Sequence, residues 1–385
     1  MHTDASVYSV ARRIASETIE PRRYGGSMFG RAAAYVALAA VAVGSAACGS
    51  AGTAGAASTS DPATVRVGYL TNLTHAPALI GVSRGYFQSN LPVGTTLQTK
   101  TFSAGPAENE ALLGGSLDAA FVGPNPAITA FLSTKGNGIR IVAGATAGGA
   151  GLVVSPSIAS GNFPADLKGQ TLASPQLGNT QDVALRTWLG KNGLSSSTSG
   201  GSADVNIDAS SGNAVDLQRF VSHQIAGGWE PEPYESEYIL NGHGTLVVDE
   251  ASLWPVNQFP TTELVVSTKL LTNHPDIVTA LIKGLTQSVD WINQNPSAAQ
   301  AAATSQLALI TGAKPLPAAV VQMAWTHLKF TVDPLAAALK TDADHARQAG
   351  VISGSSLKGI IDVGPLNSLR SAAGKPAVDS GGLSS

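Results

Sequence analysis

Short β-rich runs alternate with helical segments over the first part of the chain, and this alternation restricts the possible folds more than any other feature of the sequence. Strands are predicted at TVRVGY (64–69), TTLQTKTF (95–102), DAAFVG (118–123) and IRIVAG (139–144). Helices are predicted after the first three strands, at about 76–84, 108–113 and 126–133. The pattern is typical of an α/β architecture with largely parallel strands, in which ligands bind beyond the carboxyl ends of the strands.

A second set of runs predicts a second α/β unit. Its strands are predicted at 151–155, 171–174, 205–209 and 245–249, with a helix at about 180–190. The Gly-rich segment ATAGGAG (145–151) separates the two sets and is predicted to be a hinge. After one more predicted strand at 262–268 the chain is mostly helical, and apolar residues recur at helical spacing over 275–293.

Composition excludes several classes of function. The chain has 385 residues, enough for sizeable cores in two or more domains, and its formal net charge of −3 without basic clusters argues against nucleic-acid binding. One cysteine excludes a disulfide framework and any metal site that needs two thiolates from this chain. The sequence has no G-x-S-x-G, phosphate-loop or H-E-x-x-H motif, and its seven histidines are scattered. We therefore expect no catalytic residues, no metal site and no cofactor.

The amino-terminal part predicts export. Residues 28–48 combine a short basic start at Arg31 with an apolar run and small residues before Cys48. The apolar run is too short and too rich in alanine and glycine for a transmembrane helix, which indicates a secretory signal. We interpret residues 1–47 as a leader, with the signal peptide at 28–47.

The run SAAC at 45–48 resembles a bacterial lipobox, which would place a lipid on Cys48. Ser45 departs from the pattern because an aliphatic residue usually stands there. A plain signal peptide cut near Ala47 is the alternative. Residues 48–63 are then the lipidated cysteine and a flexible tether of small polar residues, and residues 372–385 are predicted to be a disordered tail.

Four predicted strand-to-helix junctions share one chemistry. They are NLTHAP (72–77), SAGP (103–106), GPNP (123–126) and GNTQD (178–182). Each places small or capping residues where a helix begins, and helix N-termini present free N–H groups and a partial positive charge. Taken singly, each of these loops is also explained as an ordinary capped turn with no role in binding. Several that converge on one cleft would bind an anion without arginine, so Asn72, Thr74 and His75 are suited to lining a small-molecule cleft.

The run WEPEPYESE (229–237) leaves two interpretations open. Two prolines limit its backbone, and four glutamates accompany two aromatic residues. It is either a rigid connection between domains that faces the cleft with Trp229, Glu232 and Tyr234, or a solvated acidic loop.

Several of these segments resemble the nitrate/sulfonate/taurine-type solute-binding proteins of ABC importers, and aliphatic-sulfonate-binding lipoproteins in particular. The segments are GYLTNLTHAP from 68, FSAGPAENEALLGGSLD from 102, VGPNPA from 122, DLKGQTLASPQLGNTQD from 166 and WEPEP from 229. The resemblance implies a type II periplasmic-binding-protein fold, in which two α/β lobes flank a cleft and the chain crosses between them twice. Lobe one would be 64–150 plus 262–371, and lobe two 151–261.

The resemblance also implies a function. The protein would bind a small anion, foremost an aliphatic sulfonate, and deliver it to a permease and an ATPase as a monomer anchored by lipid to the outer face of the cell membrane. The implied cleft residues are Asn72, His75, Gly123, Asn125, Asn179, Thr180, Gln181 and Glu232. Trp229 and Tyr234 would contact an apolar tail, and Thr146 is added from its position in the predicted hinge.

Departures from the family pattern leave the ligand open. Glu230 replaces a small hydrophobic residue before Pro-Glu-Pro, and Tyr234 replaces a common tryptophan. A further carboxylate in the cleft would favour a ligand that also carries an amine, such as taurine. Nitrate, bicarbonate and pyrimidine precursors of thiamine are further alternatives, and a pyrimidine-precursor synthase of related fold is the rival enzymatic interpretation.

Overall fold

Two mixed β-sheets, each covered by helices, organise the part of the chain that the computed structural model describes, residues 64–354 and 356–384. The leader, Cys48 and the tether, predicted within residues 1–63, lie outside the described residues. The strands are β1 (Thr64–Leu70), β2 (Thr96–Phe102), β3 (Ala119–Val122), β4 (Ile139–Gly148), β5 (Ala150–Val154), β6 (Thr171–Ala173), β7 (Asn206–Asp208), β8 (Gly227–Pro231), β9 (Thr245–Asp249), β10 (Pro260–Ser267) and β11 (Leu328–Phe330).

Most strand ends lead into helices, as the alternating pattern predicts. The α-helices are α1 (Ala76–Ser83), α2 (Tyr86–Asn90), α3 (Gly105–Leu113), α4 (Pro124–Ser133), α5 (Pro156–Ala159), α6 (Thr180–Lys191), α7 (Asn213–Val221), α8 (Tyr234–Leu240), α9 (Thr268–Asn273), α10 (Pro275–Gln294), α11 (Pro296–Thr311), α12 (Ala318–His327), α13 (Ala336–Gln348) and α14 (Gly364–Ala372). Within the described residues, none of the helices is both long enough and apolar enough to span a bilayer.

The first sheet has the strand order β11-β4-β10-β3-β1-β2, and the second has the order β7-β6-β8-β5-β9. We call each sheet with its covering helices a lobe. Strand β1 pairs in parallel with β2 and β3, and β6 pairs in parallel with β7 and β8. The pairs of β4 with β10 and of β5 with β9 are antiparallel.

The expectation of largely parallel strands holds for β1–β4 and for β6–β9, which share one direction within each sheet, whereas β5, β10 and β11 run against them. Strand β4 carries the chain out of the first sheet and β10 carries it back, and these two strands lie side by side, so they must run in opposite directions. Strands β5 and β9 have the same relation in the second sheet. Sequence periodicity identifies strands but carries no signal for which of them are neighbours.

The chain passes from the first sheet to the second through Gly149, which stands between β4 and β5. Gly148 and Gly149 have φ angles of 75° and 77°, a left-handed conformation that glycine adopts without steric cost. Residues 145–148 of the predicted hinge belong to β4, and residues 150 and 151 belong to β5. The segment without strand pairing is therefore shorter than the sequence pattern predicts. The second passage runs from β9 through two short 3₁₀ helices to β10.

Apolar periodicity places the main core under the first sheet. Helix α10 buries Ile277, Leu281 and Leu285 there, which are the residues that its helical spacing selects. The second lobe has smaller cores, one of which is built around Trp229 and Leu172.

The carboxyl-terminal residues 372–384 correct one prediction, because they pack instead of forming a disordered tail. Val378 and Leu383 are buried in the core of the first lobe. The N–H of Val378 donates to Oδ1 of Asn367 at 2.8 Å, and the carbonyl of Leu383 accepts from the N–H of Gly359 at 2.8 Å. The small polar composition hid these two anchoring side chains.

Candidate functional site

A narrow cavity lies where the strand ends of the two lobes meet. The first lobe lines it with Leu70, Asn72, Thr74, His75, Ser103, Gly123 and Thr261. The second lobe lines it with Pro175, Asn179, Thr180, Gln181, Asn213 and Pro231. The cavity has a volume of about 10 Å³, about the smallest space that holds one water molecule. The two lobes are therefore in a closed arrangement around it.

Five helices begin at this cavity, because the strands before them end at its edge. The helices are α1, α3, α4, α6 and α7, which follow β1, β2, β3, β6 and β7. In none of the five does the N-cap side chain accept a hydrogen bond from its own helix, although Asn179 is a residue type that caps well. Prolines remove some N–H groups from the first turns of α1, α3 and α4. The remaining free N–H groups and the partial positive charges of the five helices lie at the same small volume, which favours an anion there.

His75 contributes a neutral donor to the cavity. Its Nδ1 accepts the backbone N–H of Leu70 at 3.2 Å, and burial lowers the pKa of the ring to about 3. The imidazole is therefore uncharged at neutral pH, and its one proton is on Nε2. A ring nitrogen that donates without carrying a charge is suited to an anion whose charge the helices already balance.

Thr180 places an unpartnered hydroxyl in the same cavity. Its side-chain Oγ1 is buried and has no hydrogen-bond partner. An unsatisfied buried hydroxyl costs about 1–3 kcal/mol, so its presence calls for an explanation, and a ligand oxygen is one. Across the cleft, a Cβ on Gly123 would lie 2.3 Å from this Oγ1. The lobes can approach this closely because residue 123 has no side chain.

Hydrogen bonds behind the cavity fix the orientation of Asn72. Oγ1 of Thr74 donates to Oδ1 of Asn72 at 2.7 Å, and Oγ1 of Thr262 lies 3.4 Å from that of Thr74. Because Oδ1 of Asn72 already accepts this bond, its NH₂ group remains to donate to the cavity.

A buried ion pair holds the loop that precedes α6. Asp182 accepts hydrogen bonds from the N–H of Gly178, from Oγ of Ser174 and from Nε of Arg186, each at 2.9 Å. The side chains of Asp182 and Arg186 are 0% and 3% exposed, so Asp182 neutralises the charge of Arg186 inside the lobe. The ion pair therefore positions Asn179, Thr180 and Gln181 without adding charge to the cavity.

Seven of the sequence-predicted site residues line this one cavity, namely Asn72, Thr74, His75, Gly123, Asn179, Thr180 and Gln181. Four others lie elsewhere. Asn125 donates from Nδ2 to the carbonyl of Asp342 at 3.2 Å, and Thr146 is buried within β4, between β10 and β11. Trp229 donates from Nε1 to Oε2 of Glu250 at 2.7 Å, and Glu232 accepts from Ser236 and meets His327.

For segment 229–237, one of the two interpretations of the sequence is wrong. It forms the end of β8, a turn and the start of α8, and Trp229, Glu230, Glu232 and Glu235 are buried, so a solvated acidic loop is wrong. Glu230 accepts from Nδ2 of Asn213 at 2.9 Å, and burial raises the pKa of its carboxyl well above the ordinary range. Tyr234, whose pKa burial raises to about 12, does not line the cavity either.

The sequence interpretation missed Asn213 and Thr261. Asn213 begins α7 after β7, and its loop has the same small and capping residues as the four junctions that were identified. Thr261 lies within β10 and reaches the cavity through sheet topology, for which the local sequence carries no signal.

Comparison with known structures identifies the fold. The alkanesulfonate-binding protein SsuA of Xanthomonas axonopodis pv. citri aligns with a TM-score of 0.62 at 23% identity, covering 77% of this chain and 96% of that protein. The periplasmic nitrate-binding protein NrtA of Synechocystis PCC 6803 aligns with a TM-score of 0.69 at 14% identity, covering 80% and 89%. The predicted two-lobed α/β periplasmic-binding-protein fold is thereby confirmed.

The chain belongs to the NMT1-like family, whose profile matches residues 58–308. A relative in Brucella abortus (strain 2308), described only as a binding protein, is 27% identical over 240 residues, which are 62% of this chain and 69% of that protein. The family resemblance that the sequence motifs indicated is confirmed.

Proposed function

We propose that the protein is the extracytoplasmic solute-binding component of an ABC importer, and that its cavity holds the oxoanion group of a small organic anion, foremost an aliphatic sulfonate. One observation carries the proposal: five helices with uncapped N-termini begin at one closed cavity between two lobes. The Nε2–H of His75 and the hydroxyl of Thr180 add neutral donors to this positive field.

The chemistry of the lining favours a fully ionised oxoanion. Among the thirteen lining residues of the described chain, none has a carboxylate or a cationic side chain. A sulfonate has three oxygens that accept several hydrogen bonds each and no O–H that would need an acceptor. The likeness of the fold to an alkanesulfonate-binding protein supports the same ligand class.

The structure removes the reason for preferring taurine. That preference depended on Glu230 or Glu232 facing the cleft, whereas neither of them lines the cavity. Trp229 bonds to Glu250, and no tryptophan is among the described residues that line the cavity. A short alkyl chain therefore suits the site better than a long one. Nitrate remains the second candidate, because the likeness to a nitrate-binding protein and the small cavity favour it.

The importer role brings partners and a location with it. Lobe closure on the anion would present one closed surface to a permease that an ATPase drives. Export through the signal at 28–47 and lipid attachment at Cys48 would keep the protein, as a monomer, at the outer face of the membrane. Mass spectrometry of the membrane-extracted protein, compared with a Cys48→Ala variant, tests the anchor: a diacylglyceryl mass on Cys48 is expected, and an unmodified amino terminus near residue 48 would contradict it.

The rival interpretation is an enzyme, such as a synthase of thiamine pyrimidine precursors. We propose binding without turnover, since neutral donors and helix N-termini stabilise a bound anion and supply no nucleophile or base. Product formation from any ligand incubated with the purified protein would support the enzymatic interpretation instead.

Thermal unfolding in the presence of methanesulfonate, ethanesulfonate, octanesulfonate, taurine, nitrate, sulfate and an aminopyrimidine tests the ligand class. A ligand at about 100 times its dissociation constant adds about 2.7 kcal/mol to the unfolding free energy. We expect the largest rise with short alkanesulfonates, a rise much reduced in Thr180→Val and retained in Thr187→Val, which changes the same helix outside the cavity. No shift with any anion would contradict the proposal.

A further inference from the structure

Three side chains with metal-binding atoms meet outside the cavity, close to the passage between the lobes. Glu232 and Glu235 come from the turn after β8 and from α8, whereas His327 is the last residue of α12, directly before β11. Nδ1 of His327 lies 2.6 Å from Oε1 of Glu232 and 3.1 Å from Oε1 of Glu235. One ligand atom from each residue lies within 4.8 Å of the other two.

We propose that Glu232, Glu235 and His327 form a structural binding site for a divalent ion of the zinc type. Zinc accepts imidazole nitrogen and carboxylate oxygen at about 2.0–2.2 Å, and tetrahedral angles then separate the ligand atoms by about 3.3 Å. The two observed separations from Nδ1 of His327, 2.6 Å and 3.1 Å, are shorter than this by about 0.7 Å and 0.2 Å, so the side chains must move apart slightly to admit the ion. Binding replaces the contacts of His327 Nδ1 with the two carboxylates by an Nδ1–Zn bond, and a proton carried by Nδ1 leaves to solvent.

The surroundings of these three residues have the features of a prepared metal site. The N–H and Oγ of Ser236 both donate to the carboxylate of Glu232, at 3.2 Å and 2.8 Å, which orients this ligand. Glu232 and Glu235 are buried, whereas the side chain of His327 is 28% exposed. That exposure supplies a path for the ion and room for a water as the fourth ligand.

The position of the site gives the ion a structural role. The N–H of Glu232 donates to the carbonyl of Gly149, the residue between β4 and β5, at 2.9 Å. The carbonyl of Glu232 accepts the N–H of Leu73, beside the cavity loop, at 3.0 Å. An ion held by Glu232, Glu235 and His327 would brace the passage between the lobes against α12, and this role does not depend on which anion the cavity binds.

Calorimetric titration of the chelator-treated, full-length mature protein with ZnCl₂ tests the site. We expect one ion to bind per chain. His327→Gln and Glu235→Gln should each weaken binding at least tenfold. Glu237→Gln, on the same helix, and His223→Gln, an exposed histidine, should leave it unchanged.

Retained binding in His327→Gln, or equal loss in His223→Gln, would overturn the proposal and leave a plain ion pair between α8 and α12. Crystals of the wild-type protein soaked in ZnCl₂ give a second readout that does not depend on the folding of a variant. An anomalous peak within about 2.3 Å of all three ligand atoms is expected. A peak only at other residues, or none, would overturn the proposal.

Discussion

A single methyl group at position 123 should block ligand binding without unfolding the protein. Gly123 has φ −70° and ψ 160°, a conformation that any residue adopts, so Gly123→Ala introduces no backbone strain. Its Cβ would lie 2.3 Å from Oγ1 of Thr180, about 1.1 Å inside the 3.4 Å at which ordinary contact begins. Thr180 belongs to the opposite lobe, so the clash exists only when the lobes are closed.

The size of the effect follows from the cost of overpacking. Inserting a methyl into a packed site costs about 1–3 kcal/mol, which corresponds to about 5- to 150-fold weaker binding. We expect this loss in a calorimetric titration with the most stabilising alkanesulfonate, together with an unfolding temperature without ligand close to that of the wild type.

Gly190→Ala is the matched control for Gly123→Ala. Gly190 lies in α6 and a Cβ there would meet no atom within 4 Å, so the affinity should be unchanged. Alanine is more favourable than glycine in a helix by up to about 1 kcal/mol, so Gly190→Ala should raise the unfolding free energy slightly. Wild-type affinity in Gly123→Ala would refute the reasoning, because the closed geometry would then not be the binding geometry.

Three further predictions concern buried ionisable groups. In the unfolded chain His75 is protonated below about pH 6.5, whereas in the folded protein its ring stays neutral down to about pH 3. As the pH falls from 7 to 5, the wild type should therefore lose about 2 kcal/mol more unfolding free energy than His75→Gln in urea titrations. Burial raises the pKa of Glu108 well above 4.5, so this carboxyl stays protonated in the folded state while the unfolded chain ionises. As the pH rises from about 5 to 6, the wild type should therefore lose about 1.4 kcal/mol of unfolding free energy per pH unit relative to Glu108→Gln, measured by urea titration. Arg186→Met leaves the buried charge of Asp182 unpaired and should lower the unfolding free energy by about 3–5 kcal/mol at pH 7, part of which Asp182→Asn in the same chain should restore.

Each of these three predictions has an outcome that contradicts it. Parallel pH profiles of the wild type and His75→Gln would mean that the folded protein binds a proton at this ring as readily as the unfolded chain does. A pH-independent difference between the wild type and Glu108→Gln would mean that the carboxyl is solvated. A double variant at 182 and 186 no more stable than Arg186→Met would mean that the lost stability is one of packing and not of charge.

The loops of the cavity could be predicted from the sequence because their chemistry is local. Small and capping residues at the start of a helix mark a strand-to-helix junction, and parallel βα units bring such junctions to one edge of a sheet. The junctions that contain Asn72, Gly123 and Thr180 are predicted in this way, the family resemblance implies that these residues line the cleft, and all three lie at the same cavity. Their role in binding stays a prediction that the experiments above test.

Side-chain direction could not be predicted in the same way. Trp229 and Glu232 follow one another closely in a strand and a turn, and only the packing of α6, α8 and α12 around them decides that they bond to Glu250, Ser236 and His327. Thr261 reaches the cavity because β10 returns beside β4, a contact between residues more than a hundred positions apart. Contacts of this kind depend on topology, which local patterns do not encode.

The most direct test of the central claim is a crystal structure of the protein with ethanesulfonate, with the sulfur located by its anomalous scattering. A sulfur peak is expected in the cavity, with sulfonate oxygens about 2.7–3.2 Å from Oγ1 of Thr180, Nε2 of His75, the N–H of Asn125 in α4 and the first N–H groups of α6. A sulfur peak outside this cavity, or full binding in solution with no ligand between these helix N-termini, would contradict it.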